Sequence, residues 1–156
     1  MTHEKYEDWR MRLMNSERVT VANLELVPSK PGAYALWMER QGKCILLKVG
    51  IAGPRRKDGI RGRLCYHHRS NPTNTVFARH MSTDLELAQE VGYDFTQRWQ
   101  RQKFLATFCF FKFIVIEDLN ESELRSFESY LENRLQPRYK GEVGGPYQPV
   151  EFRSCP

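Results

Sequence analysis

Tyr6, Trp9 and Leu13 stand at i, i+3 and i+7 in an opening segment that is otherwise charged. That spacing aligns one face of an amphipathic helix over residues 3–16, ready to pack on the rest of the chain. Pro28 and Pro31 then interrupt helical geometry, because a residue before proline is pushed toward extended backbone. Residues 33–40 and 43–52 are β-like runs parted by Gln41 and Gly42, and together they predict an antiparallel hairpin. A helix is expected over residues 59–69, followed by a loop through residues 71–81. Thr83 and Glu86 have the spacing of a capping box, with Gly92 placed to close that short helix. A further helix covers residues 96–106. The run FCFFKFIVIE at residues 108–117 is too aromatic and β-branched for a helix and reads as a central buried strand. Asn120 and Glu123 form a second capping box, opening a helix that ends near Gln136, just before Pro137. The Gly- and Pro-rich tail after Gly141 reads as irregular.

This order describes an α+β domain, a small three-stranded antiparallel sheet flanked by helices. At 156 residues, 40% hydrophobic and 28% charged, the chain can bury one core and is not a disordered segment. No window approaches the roughly 18 consecutive apolar residues of a membrane span, and the charged N-terminus lacks the apolar stretch of a signal peptide. Cys44, Cys65, Cys109 and Cys155 are far apart in sequence. Their spacing speaks against a zinc framework or a disulfide scaffold and fits a reducing cytoplasm.

Charge is distributed unevenly. The formal charge is +5, yet residues 54–80 hold seven Arg and Lys against Asp58 alone, a local +6, so the remainder is close to neutral. Such a stretch fits a polyanionic partner such as nucleic acid, or a solvated basic face. Several other polar residues sit oddly in their elements. Glu128 lies inside an apolar stripe, four residues after Leu124 and seven before Leu135, where a carboxylate needs a cation, a metal or hydrogen bonds, or else an edge that reaches water. Arg63 and His67 share a helix face at i and i+4, as a surface pair or part of a site. Tyr34 and Lys48 occupy the two hairpin strands, and parity alone leaves their faces open. A Lys between Leu47 and Val49 is unusual for a core.

Taken in order, these residues resemble the motifs of the GIY-YIG endonuclease superfamily. Gly32, Ala33 and Tyr34 resemble the first motif, with Ala for Ile. Lys48, Val49 and Gly50 resemble the second, with Lys for the usual Tyr. Arg63 through His67 is similar to the helix motif of Arg followed by His or Tyr one turn later. The segment ESYLENRLQPRYKG is similar to the metal-binding Glu and trailing Pro-x-Tyr-Asn, with Lys140 where Asn is common. The loop carrying GPRRKDG is longer than the family's usual connection. The resemblance spans about residues 31–141, four motifs in order.

The resemblance implies a DNA endonuclease that hydrolyses a phosphodiester with one divalent metal, Mg2+ or Mn2+, of repair, mobile-element or restriction type. It places the metal on Glu128, the scissile phosphate on Arg63, and Tyr34, Lys48 and His67 around the attacking water. Desolvation and nearby positive charge are expected to depress the Lys48 pKa, so that its amine can accept a proton. Arg55, Arg56, Lys57, Arg61, Arg69 and Lys140 would contact the DNA backbone. The expected layout is a helical extension at residues 1–26, the nuclease-like domain at 27–141, and a tail at 142–156 packed on the same domain. DNA is the expected partner and no membrane is involved. A homodimer is favoured only if both strands are cut, and nothing identifies a sequence preference. Two other classes compete: a nucleic-acid-binding module that keeps the fold without cleaving, and a protein-interaction domain with basic decoration. The last would show no salt-sensitive DNA affinity.

Overall fold

A computed structural model describes residues 2–156. The chain opens with α1 (His3–Asn15), a two-residue strand β1 (Val19–Thr20) and a 3-10 segment (Val21–Leu26). The hairpin is β2 (Gly32–Arg40) and β3 (Lys43–Ala52). Helix α2 (Gly59–Gly62) continues directly as a π-helical stretch (Arg63–Arg69). Then come α3 (Val76–Thr83), α4 (Leu85–Val91), α5 (Arg98–Phe108), β4 (Cys109–Val115), α6 (Glu121–Leu135) and β5 (Arg153–Ser154). Among the described residues no helix is long and apolar enough to cross a membrane.

The strands form one antiparallel sheet in the order β1-β4-β2-β3-β5. Both faces are covered, which is why β2 reads as a continuous apolar run and not as an alternating one. Tyr34, Leu36 and Met38 face a core shared with the 3-10 segment, the π-helix and α3 to α5. Ala33, Ala35 and Trp37 face a second core closed by α1 and α6. In that second core Trp9 meets Phe127 edge-on with centroids 5.4 Å apart, and Tyr6 stacks on Phe127 at 5.5 Å. The helix carrying Phe127 begins with a complete capping box. Asn120 Oδ1 accepts from the Glu123 N–H at 2.8 Å, and the Asn120 N–H donates to Glu123 Oε1 at 3.2 Å.

Five expectations change. The sheet has five strands, because β1 and β5 are two-residue edge pairings too short to carry a sequence period. The central strand is β2, with β4 beside it. Part of the expected loop at residues 71–81 is helix α3, capped by Thr75, whose hydroxyl accepts from the Ala78 N–H at 3.2 Å. The following helix is capped by Asp84 and not Thr83: its carboxylate accepts from the Leu87 N–H at 3.1 Å, while Gly92 closes the helix in the left-handed region as expected. Finally, Cys44 and Cys155 form a disulfide across 111 residues, so the reading against disulfides is corrected. Sequence distance hid this pair, since the first residues of β3 and the end of the chain meet only at the sheet edge. Cys65 and Cys109 are buried and free.

The α6 anchor can be tested by chemical denaturation. Phe127→Ala should cost about 3–5 kcal/mol, as large aromatic deletions from packed cores do. Asn120→Ala, which removes only the cap, should cost about 1 kcal/mol.

Candidate active site

Nine positions of β2 pair with β3 in an antiparallel register that skips one residue, Leu47, between the Leu36/Lys48 and Trp37/Leu46 pairs. This bulge changes the phase of the strand. Before it Ile45 and Leu47 face the Tyr34 side, whereas Val49 and Ile51 beyond it face the other core. Lys48 and Gly50 therefore follow Tyr34 to its face. Irregular backbone also leaves adjacent carbonyls on the outer edge of β3, and they are satisfied: Leu46 and Leu47 accept from the N–H groups of Arg138 and Tyr139, each at 2.9 Å. Gly50 lies opposite Tyr34, and a Cβ there would come within 2.3 Å of Tyr34 Oη. The tyrosine ring occupies the space that glycine vacates.

Beside this edge is a cavity of about 350 Å³, lined by Tyr34, Lys48, Arg63, His67, His68 and Glu128 among others. All five residues selected from the sequence as catalytic candidates reach it. The sixth, His68, was missed for a definite reason. Residues 63–69 are π-helical, with Ser70 N–H donating to Cys65 O at 3.1 Å, five residues back. In this geometry a residue five along shares a face with Arg63, where α-helical spacing would send it elsewhere. His68 is thus buried, with Nε2 at 2.5 Å from Tyr34 Oη, while His67 stays half-buried at the cavity wall. Glu128 arrives from α6. Its neighbours Leu124, Phe127 and Leu131 are buried in the opposite core, so the carboxylate flanks the β3 edge.

Burial dominates the electrostatics. It pushes the Tyr34 hydroxyl pKa up, with Arg63 opposing the change. Lys48 is shifted down, first by burial, with Glu128 and Glu132 pulling the other way and Arg63 adding to the fall. The Glu128 carboxyl is raised by burial and restrained chiefly by Lys48. His68 lies well below its ordinary range, so it is neutral. His67 is lowered less, by burial and then by Arg56 and Arg63. Two buried nitrogens, Arg63 Nε and His68 Nδ1, have no hydrogen-bond partner. A cavity with an unpaired guanidinium N–H suits an anionic oxygen.

The basic stretch is less free than its composition suggests. Arg56 pairs with Asp58 at 2.8 Å, and Arg69 with Glu25 at 3.1 Å. Arg61 donates to the Val27 carbonyl at 2.5 Å, and Lys140 to Asn133 Oδ1 at 3.0 Å. Arg55, Lys57 and Arg79 are exposed, and Arg55 shares a shallow surface depression with Arg125. Arg125 and Glu121, which pair at 3.5 Å, also line the main cavity and carried no sequence signal beyond their place on α6.

Two measurements follow. Gly50→Ala should displace the Tyr34 ring and cost roughly 1–3 kcal/mol, the usual cost of overpacking, seen as a lower denaturation midpoint. Acid should also destabilise the fold. His68 and His80 have native pKa values below their ordinary 6.5, that of His80 at about 4. As pH falls from 6.5 the unfolded chain takes up protons that the native state refuses, so stability present above 6.5 is lost on the way down. His80→Gln should flatten that slope in denaturation curves taken from pH 7 to 4.

No protein-family profile matches the chain, and no curated protein matches it. Among solved structures it is similar to the GIY-YIG N-terminal endonuclease domain of UvrC from Thermotoga maritima, solved as a point mutant bound to its catalytic divalent cation. The two share 15% identity, the match covers 91% of this chain and 100% of that one, and the TM-score is 0.37.

Proposed function

We propose that the cavity hydrolyses DNA phosphodiesters with the help of one divalent cation. The observation that carries this reading is the convergence of a Tyr–His pair, a buried lysine, an arginine with an unpaired N–H and a carboxylate in one open cavity. The donor set fits the metal. Among the described residues no group of three metal-ligating side chains lies in the cavity. A single carboxylate suits a hard ion such as Mg2+ or Mn2+ that keeps several waters and takes further oxygens from phosphate. Glu128 is the residue to hold it. When bound, the ion supplies positive charge for the phosphate oxygens and the leaving group.

The other roles follow from position. Arg63 offers its N–H groups to the scissile phosphate and stabilises charge that develops there. Tyr34 lies over Gly50 and is held through its hydroxyl by neutral His68, so it orients the attacking water without becoming a phenolate itself. Lys48, with its amine shifted toward the neutral form, accepts the water's proton, and His67 lines the route out. The exposed Arg55, Lys57 and Arg79, with Arg125 at the cavity, form a cationic track for the DNA backbone.

Incubating plasmid DNA with the protein and Mg2+ or Mn2+, beside Glu128→Gln, tests this assignment. Nicking that disappears in the variant while the thermal transition persists is the expected result. Salt-sensitive DNA binding without cleavage by the native protein would establish a binding module in its place. Lys48→Arg separates proton transfer from charge. A base role predicts loss of single-turnover rate together with the rising limb of its pH profile, whereas a simple phosphate clamp would keep both.

A further inference from the structure

A second constellation stands away from the cavity, where the end of β2, the start of β3 and the C-terminal residues meet. Cys44 Sγ, Cys155 Sγ and a Glu39 carboxylate oxygen all lie within 4.8 Å of one another. Glu39 Oε2 is 3.8 Å from Cys44 Sγ and 3.6 Å from Cys155 Sγ. A disulfide has no proton to offer a carboxylate, so the joined sulfurs add nothing to the hold that Arg18 has on Glu39. Two thiolates and a cation between them would add a bond to it. We infer that, once its disulfide is reduced, this corner binds a thiophilic divalent cation, with Zn2+ the best match.

The distances agree with that chemistry. Zn–S bonds of about 2.3 Å and Zn–O bonds of about 2.1 Å at tetrahedral angles place sulfur and oxygen about 3.6 Å apart, which is the spacing found here. Released from their bond, the sulfurs need only part to about 3.8 Å for the same geometry. The fourth position falls to water. Two thiolates prefer a soft or borderline ion to Mg2+. Charge also closes: the thiolates and carboxylate bring −3, while Zn2+ and Arg18, paired with Glu39 and lying over the Phe110 ring, bring +3. Arg18 holds the same Glu39 oxygen that faces the sulfurs, as outer partners of metal ligands fix a ligand in place.

The balance is simple. The disulfide accepts two electrons from a phosphine and two protons from a water whose oxygen leaves as the phosphine oxide, giving two thiols. Zn2+ then displaces those two protons. In either state the chain end remains tied to β3, by a covalent bond or by a metal.

The proposal is independent of the nuclease reading and has its own readout. Protein reduced with a phosphine and stripped of metal is titrated with Co2+, and thiolate-to-cobalt charge-transfer absorption is followed in the near ultraviolet. The charge-transfer band should saturate at one equivalent bound to the thiolates, be the same in Glu128→Gln, and be bleached by excess Zn2+. Cys155→Ser should abolish the band, and Glu39→Gln should weaken binding at least tenfold while leaving the fold intact by circular dichroism. The unreduced protein should show no band. A reduced protein that absorbs no more than Cys155→Ser overturns the site and leaves an ordinary disulfide. A band that survives in Cys155→Ser overturns it as well, by assigning the thiolate elsewhere.

Discussion

Strand β2 has nine residues and β3 has ten, so one residue of the longer strand must go unpaired when they zip together. The surplus falls at Leu47. Because side chains alternate with a period of two, one unpaired residue in mid-strand reverses the facing of everything beyond it. Without it Lys48 would enter the core built around α1 and α6, among Trp9 and Phe127, and Gly50 would not sit beneath Tyr34. The cost is two neighbouring carbonyls on one edge. It is met by a segment 92 residues downstream, whose N–H groups reach Leu46 and Leu47.

That downstream segment is itself held by a buried ionic cluster. Arg138 grips Asp84 through two hydrogen bonds of 2.7 and 2.6 Å, and Tyr139 donates to the same carboxylate at 2.8 Å. Asp84 also caps α4, so a single carboxylate joins a helix start to the strand edge. All three side chains are nearly inaccessible to water. Removing one member of such a group typically costs about 3–5 kcal/mol, because the remaining charge is stranded in the interior. Lys48, a helix cap and the C-terminal third of the chain are thereby coupled.

Periodicity and capping made much of this legible in the sequence. The i, i+3, i+7 aromatics of α1, the hairpin around Gln41 and Gly42 and the Asn120 box all depend on neighbours close in sequence, and local physics decides them. Glu128 and Lys48 were noticeable as polar residues in apolar company, and that anomaly marked the cavity. His68 escaped because its facing follows π-helical spacing, which no residue type in RLCYHHR announces. Lys48 could be singled out but not oriented, since the bulge that turns it is a property of two strands together. The Cys44–Cys155 pair, the Arg138–Asp84 cluster and the intramolecular partners of Arg61 and Arg69 all join distant segments, so no window of sequence contains them.

Helix α1 contributes no side chain to the cavity, yet its Tyr6 and Trp9 clamp the ring of Phe127, next to Glu128 on the same helix. The position of the carboxylate is therefore secured through α1, a thirteen-residue helix docked by its buried Trp9 and Leu13. An element docked through a few side chains can open at a lower free energy than the whole fold. A molecule with intact strands and an undocked α1 would retain Tyr34, Lys48 and His68 in place while Glu128 drifted. Helix α1 would then set the geometry of a cavity to which it lends no side chain.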